Sequence, residues 1–263
     1  MPQQHLMLLM AICIFMFANL SLTPVAFAES TLENLPQILK KNKPAVVAIG
    51  TLHAIRQPPV ELKGTGFVVA DGRHIVTNSH VVPRRRDLNA KEEIVVLVGR
   101  GNRPDIRRAT IIDRDDVHDL ALLKIEGTAL PRMKLGTGAM IEEGSYVGYT
   151  GFPIGAVLGM YPVTHRGIIA AVTPIIIPQR RAQYLDPGMI LQPRFDVYQL
   201  DATAYPGNSG SAVYDLREGR VQAVINSVKI KGSKEKALTS PTGITYAIPV
   251  VYVHKLLAKN GLK

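Results

Sequence analysis

The sequence predicts an all-β protein: two consecutive groups of six short strands, arranged as paired antiparallel barrels and followed by a closing helix. Three observations carry this. The apolar runs are short and rich in β-branched residues, turn residues break them at close intervals, and a Pro/Gly-containing bridge from Pro131 to Gly144 divides them into two sets. A single β-sandwich with extra strands satisfies the same composition and is the alternative at this level.

The chain opens on a different kind of segment. Leu6 to Ala18 is an apolar run too short for a comfortable membrane span but the right length for the core of a secretory signal, and Val25-Ala26-Phe27-Ala28 follows as an A-x-A cleavage site. Residues 1–28 are therefore expected to be a signal peptide, with residues 29–263 as the folded domain and Glu29 as its first residue. The stretch Met1-Pro2-Gln3-Gln4-His5 lacks the positive charge that usually starts a signal, so an uncleaved membrane anchor is the alternative. Exported, periplasmic or secreted material is the expectation.

Leu35 to Lys43 carries Leu35, Ile38 and Leu39 at helical spacing until Pro44 stops it. The first strand group, in a barrel spanning about 44–130, is Ala45 to Leu52, Gly66 to Ala70, His74 to Thr77, Ile94 to Val98, Ala109 to Asp113 and Leu120 to Ile125. Asp71-Gly72 reads as the hairpin turn between two of these. The second group, about 139–250, is Tyr146 to Tyr149, Gly167 to Val172, Val197 to Leu200, Ser211 to Tyr214, Arg220 to Lys229 and Gly243 to Ile248. Apolar residues at helical spacing then predict a helix from Pro249 to Leu257, within about 249–259. His53 to Lys63, Pro178 to Phe195 and Lys231 to Thr242 are long connections for a compact all-β chain, the kind that carry function.

Composition excludes several classes. With 46% hydrophobic and 20% charged residues among 263, the chain is neither disordered nor repetitive, and it can bury roughly 70–75% of its unfolded surface without metal or disulfide support. Its single cysteine, Cys13, lies in the apolar N-terminal run, so thiol catalysis, zinc ribbons and disulfide frameworks are ruled out of the mature chain. No His/Asp/Glu cluster has metal-ligand spacing, and no cofactor is expected. The net charge of +10 includes Arg84-Arg85-Arg86, Arg107-Arg108 and Arg180-Arg181. These pairs lie far apart, without interleaved aromatics, so they read as a solvated face; nucleic acid is not an expected partner, and weak binding to an anionic surface is the most they imply.

The chemistry concentrates in Gly207-Asn208-Ser209-Gly210-Ser211, a tight turn between two predicted strands. A serine flanked by glycines can present its hydroxyl outward while the N–H groups of Gly207 and Ser209 converge as an oxyanion hole. A serine hydroxyl is a poor nucleophile and needs a histidine held in one tautomer by a carboxylate. The first strand group offers both at strand ends: His80 in Thr77-Asn78-Ser79-His80-Val81-Val82, and Asp119 opening Asp119-Leu120-Ala121-Leu122-Leu123. His118 is the nearest competitor for the role of His80, but alternation along a strand points neighbouring side chains oppositely. Asp113, Asp115 and Asp116 read as a solvated turn.

These motifs resemble the trypsin-like serine peptidases and, within them, the HtrA/DegP-like branch. The order His80, Asp119, Ser209 is the chymotrypsin order. Lys43-Pro44-Ala45-Val46-Val47, Gly64-Thr65-Gly66-Phe67, the His80 and Asp119 segments, Asp201-Ala202 with Pro206-Gly207-Asn208-Ser209-Gly210, and Gly243-Ile244-Thr245-Tyr246-Ala247-Ile248-Pro249 follow that branch's landmarks in order from Leu35 onward. The resemblance implies a chymotrypsin-like pair of barrels and a serine endopeptidase acting on unfolded or misfolded polypeptides. It also places Thr203 at the floor of the primary substrate pocket, with Ala204, Ile225, Asn226 and Ser227 as walls. Thr203 supplies no carboxylate for a Lys or Arg side chain, so cleavage after small or medium aliphatic residues is expected.

Some positions depart from the branch. Ser211 replaces its usual glycine, Ala204-Tyr205 replaces an aliphatic and polar pair, and residues 178–195 form a longer segment than the branch leads one to expect. With Lys263 as the last residue, no length is left for a PDZ domain, so a member without one is expected. Asn208, uncharged, stands where trypsin-like zymogens carry the aspartate that pairs with a new N-terminus, so activation by that ion pair is not expected. The rival functional readings are a catalytically weak polypeptide-binding or chaperone-like module on the same scaffold, and a basic surface-binding protein.

Overall fold

The computed structural model describes residues 34–84, 92–101, 103–153, 159–174, 195–226 and 244–263, without the side chain of Ile244. All of them belong to one compact unit, Thr31–Lys263. The expected signal segment lies outside the described residues, as do residues 175–194 and 227–243, which hold most of two of the long connections. Among the described residues no helix is long and apolar enough to cross a membrane.

The chain enters through helix α1 (Leu35–Asn42), with a proline at its N-terminal end and Lys40 and Lys41 in its last turn, where cations suit the carbonyl end of the helix dipole. The buried Asn42 donates from Nδ2 to Gly219 O at 2.9 Å, fastening the helix to a turn far along the chain. A 3-10 turn (Lys43–Ala45) leads into six strands: β1 (Val46–Leu52), β2 (Val60–Val69), β3 (His74–Thr77), β4 (Glu93–Val98), β5 (Asp105–Asp115) and β6 (Leu120–Ile125). They close in the order β1-β2-β3-β6-β5-β4. A second set, β7 (Tyr146–Gly151), β8 (Val163–Pro174), β9 (Asp196–Asp201), β10 (Ala212–Asp215), β11 (Val221–Asn226) and β12 (Ile244–Pro249), closes as β10-β11-β12-β9-β8-β7. Every pairing is antiparallel.

Register shifts at Ile49/Gly50, Ile111/Asp113 and Ile169/Ala171 are the bulges that bend long strands around the barrels. The paired-barrel expectation holds, and the single sandwich does not.

Each barrel is filled by the inward alternation of its strands: Ile49, Ile75, Val96 and Leu123 in the first, Tyr149, Ile169, Tyr198 and Leu200 in the second. Fully burying an aliphatic or aromatic side chain of this size contributes about 1.5–3 kcal/mol. The first core is continuous with Phe152, Ala212, Val224 and Ile248 and with Val253, Leu256 and Leu257 of helix α2 (Val250–Lys259), so the helix lies within the same apolar cluster as the first barrel. The end of α2 is fixed to β5 by Lys259 Nζ at 2.8 Å and Asn260 Nδ2 at 2.9 Å from Asp113 Oδ2. These two partners, Lys259 first, hold the Asp113 carboxyl below its ordinary pKa.

Three expectations need correction. The connection from His53 ends at Pro59, because Val60 to Leu62 already pair with β1 as the start of β2 and Lys63 is the bulged residue that follows. Alternating half-buried and exposed positions, Val60 and Leu62 against Glu61 and Lys63, masked that half-strand as a loop. Strand β5 extends from Asp105 through Arg107 and Arg108 to Asp115, since charged outward positions do not interrupt a ladder whose other face is paired and packed. Asp113, Asp115 and Asp116 are therefore not a free solvated turn: the first two end β5, and each carboxylate has a partner, Asp115 in His118 and Asp116 in Ser79.

Candidate active site

His80 sits at a rim. Strand β3 stops at Thr77, Asn78 is extended, and Ser79–Val81 forms a single 3-10 turn that leaves the His80 side chain 41% exposed. Asp119 closes the turn that feeds β6 and adopts φ 51°, a left-handed conformation that aspartate tolerates better than most residues. That backbone turns its carbonyl to Ser79 N at 3.0 Å and Asn78 Nδ2 at 3.0 Å. Its carboxylate accepts from His80 N at 2.9 Å and meets His80 Nδ1 at 2.6 Å. Both oxygens are thus directed at one residue. A carboxylate at Nδ1 selects the tautomer protonated there, which leaves Nε2 as an acceptor for a hydroxyl proton.

Ser209 is carried by a turn in which Gly207 has φ 100° and Gly210 φ 87°. At Gly210 only glycine fits, for a second reason: a Cβ there would lie 2.1 Å from Thr65 O and 2.3 Å from Thr77 Oγ1. Asn208 N bonds Tyr205 O, Gly210 N bonds Ile225 O and Ser211 N bonds Asn208 O, each at 3.0 Å. Bonds among the described residues leave the Gly207 and Ser209 amides uncommitted.

The two barrels meet at this turn through Thr65 of β2, which is fully buried. Thr65 N donates to Ser209 O at 2.9 Å, and its Oγ1 donates to Gly207 O at 2.7 Å while accepting from Phe152 N at 3.0 Å. Thr77 Oγ1 in turn donates to Thr65 O at 2.6 Å. The neighbouring Gly64 shows how near the two halves come. A Cβ on it would lie 2.7 Å from Val81, the residue after His80, and 2.9 Å from Ser209 O, so Val81 and Ser209 are separated by no more than those two distances together. Sequence reasoning assigned no role to Thr65 or Thr77; the only signal was the place of each in a quoted motif.

The segment before Ser209 is held by residues equally unremarked in the sequence. Thr245 Oγ1 donates to Ala202 O at 2.6 Å and accepts from Ala204 N at 3.0 Å, and Tyr149 donates to Thr203 O at 2.5 Å. Burial, with Tyr205 adding to it, keeps the Tyr149 phenol above its ordinary pKa and hence a donor. The His165 ring stacks on Tyr149 at 5.0 Å and lies 6.0 Å from Tyr205. Thr203, Ala204 and Asn226 are half-buried near the Ser209 turn. Ile225 is fully buried in the second core beside Ala204, and its N and O bond Ser211 and Gly210, so its contribution is to hold the turn. Ser227 lies outside the described residues.

The competing residues are otherwise engaged. His118 Nδ1 meets Asp115 at 2.6 Å and its ring stacks on Tyr252 at 3.8 Å. It lies in the turn before β6 and not on a strand, so these contacts, rather than strand alternation, are what engage it. Arg84, Arg107 and Arg108 pair with Asp116, Asp105 and Glu93; Arg85, Arg86, Arg180 and Arg181 lie outside the described residues. Among the described residues no group of His, Cys, Asp and Glu could hold a metal ion.

Comparison with known proteins agrees with this geometry. Residues 64–224 match the trypsin-like peptidase domain family. Similar proteins include a probable periplasmic serine endoprotease DegP-like of Pseudomonas fluorescens, 27% identical over 74% of this chain and 34% of its own length. Others are the mitochondrial serine protease HTRA2 of Drosophila pseudoobscura, 32% identical over 77% of this chain and 40% of its own, and the putative serine protease HhoA of Synechocystis, 28% identical over 74% and 42%. The chain thus spans well under half the length of these relatives. A crystal structure of a serine endoprotease from Yersinia pestis superposes with a TM-score of 0.60 at 24% identity, covering 85% of this chain and 65% of that one, and shares the fold. The match over residues 64–224 and the twin closed barrels place the chain in the trypsin-like peptidase family, with HtrA/DegP-like proteins among its relatives.

Proposed function

We propose that the protein is an exported serine endopeptidase. The observation that carries the reading is the His80–Asp119 pairing, two bonds at 2.6 and 2.9 Å from one carboxylate, beside a glycine-flanked serine tied to the same barrel through Thr65. Ser209 Oγ attacks the peptide carbonyl as His80 Nε2 takes its proton, and the C–N bond breaks when the imidazolium returns that proton to the leaving amine. Water repeats the sequence on the acyl-enzyme, giving back Ser209 and releasing the new carboxyl end. Asp119 keeps the ring oriented and stabilises its charged form, and the Gly207 and Ser209 N–H groups receive the developing oxyanion.

Unfolded polypeptides are the substrates this reading favours, cut after small or medium aliphatic residues. In support, the Thr203 segment is fastened by Tyr149 and Thr245, and Thr203 itself carries no carboxylate for a buried cation. Export rests on the N-terminal apolar run with its A-x-A site and on the word periplasmic in the names of DegP-like relatives. The test is digestion of unfolded casein by wild type and Ser209→Ala, with cut sites mapped by mass spectrometry. Cuts mainly after Val, Ala, Leu or Ile that vanish in the variant are expected. A majority after Lys or Arg would overturn the pocket assignment, and undiminished cutting by Ser209→Ala would overturn the reaction.

A further inference from the structure

The turn that presents His80 is a weak element in itself. A three-residue 3-10 turn has few internal bonds, here Val81 N to Asn78 O at 3.3 Å and Val82 N to Ser79 O at 3.2 Å, and its trailing carbonyls have no partner within it. On its leading side Asp119 holds it through Asn78, Ser79 and His80. Its trailing side depends on a different residue. Arg114, near the end of β5, reaches across with Nη1 at 2.8 Å from Ser79 O and 3.1 Å from Ser79 Oγ, and Nη2 at 3.1 Å from Val82 O and 3.0 Å from Pro83 O. The fork therefore grips the turn on both sides of His80. Ser79 Oγ continues the network, donating at 2.6 Å to Asp116 Oδ1, in the turn that ends at Asp119. Arg114 itself is fixed by the ladder, opposite Ala121 of β6.

We infer that Arg114 is a positioning residue for the catalytic histidine, setting the Ser79–Pro83 turn so that the His80 ring stays in line with Asp119. The inference rests on the reading of His80 as the general base. A planar guanidinium satisfies several carbonyls in a fixed spread, which a lysine ammonium does not reproduce. Its loss leaves the turn tethered on the leading side only, and the His80 ring free to leave the tautomer that Asp119 selects. A misplacement of about 1 Å at a reacting group can lower a rate about 10²-fold. The Arg114 guanidinium is committed to Ser79, Val82 and Pro83, so its loss is expected to leave substrate binding nearly intact.

The experiment uses the full chain with Arg114→Met, Arg114→Lys and wild type, each verified as folded by circular dichroism. Two readouts are taken: kcat and KM on unfolded casein, and the tautomer of the His80 ring from long-range proton–nitrogen correlation at mildly alkaline pH, assigned with His80→Ala. Wild type should show the Nδ1-protonated ring alone. Arg114→Met should show a mixture of tautomers and a kcat reduced about tenfold or more with KM within about twofold, Arg114→Lys falling between. A folded Arg114→Met with the wild-type tautomer and kcat would overturn the inference, as would a wild-type ring already mixed. Should Arg114→Met not fold, Arg114→Lys is read by the same two criteria. Absence of Ser209-dependent turnover in wild type would instead sink the peptidase reading, and the tautomer series would still decide the role of Arg114.

Discussion

Thr65→Val is the sharpest probe of how the two barrels assemble the site, because valine keeps the shape of threonine and removes only the hydroxyl. That hydroxyl donates to Gly207 O and accepts from Phe152 N, in a fully buried position. Leaving the Phe152 N–H buried and unpaired costs about 1–3 kcal/mol, and the lost bond to Gly207 adds about 0.5–1.5 kcal/mol, part of which water recovers at the half-buried Gly207. The sum is about 1.5–4 kcal/mol, and at about 2–4 °C per kcal/mol for a domain of this size the melting temperature falls by about 3–16 °C.

Catalysis suffers separately. The Gly207 carbonyl belongs to the peptide next to the amide proposed as an oxyanion donor, and removing one such donor costs about 10²–10³ in kcat. A freed Gly207 should lose a part of that, about tenfold to a hundredfold, with KM changed less. Urea denaturation and steady-state hydrolysis of casein measure the two effects, and Thr65→Ser, which keeps both hydrogen bonds, should recover most of each. Unaltered midpoint and kcat in Thr65→Val would refute the idea that this hydroxyl holds the nucleophile turn.

Gly210→Ala should be among the most damaging single changes in the molecule, since its Cβ would meet Thr65 O at 2.1 Å on a backbone at φ 87°; soluble, active protein from that variant would contradict the turn geometry. His165 gives a pH signature. Burial pushes its pKa below the ordinary value, and its Nε2 has no hydrogen-bond partner among the described residues. A folded-state value below the unfolded one means that protons bind the unfolded chain more tightly. The stability this group contributes is therefore present above the unfolded value of about 6.5 and is lost as pH falls from there toward the depressed folded value. His165→Phe should flatten that limb of a denaturation-midpoint against pH curve, and an unchanged limb would show that another group governs it.

How much of this was written in the sequence differs by level. Strands with an apolar inner face and a β-branched run, such as β3 and β6, were legible to the residue. The extra lengths of β2, β5 and β8 were not, because their ends alternate charged or half-exposed residues and are strands by virtue of the partner they pair with. The three residues proposed as catalytic stand out in the sequence because serine between glycines, and histidine and aspartate at strand ends, are local patterns. Their supports could not. Thr65 meets Gly207 across 142 residues of chain and Asn42 meets Gly219 across 177, and nothing in a threonine or asparagine announces a partner so remote. Arg114 was hidden for a further reason: it lies among Asp113, Asp115 and Asp116, which read as a solvated turn, whereas its guanidinium turns toward the His80 loop.

Covalent capture tests whether Ser209 is a nucleophile activated by His80. Wild type, Ser209→Ala and His80→Ala are treated with a fluorophosphonate, digested, and examined by mass spectrometry for the modified peptide. A single adduct on Ser209 is expected in wild type, none in Ser209→Ala, and labelling slowed by at least about 10³ in His80→Ala, because a serine without its base keeps its proton. An adduct on any other residue, or labelling of Ser209 at an undiminished rate without His80, would contradict it.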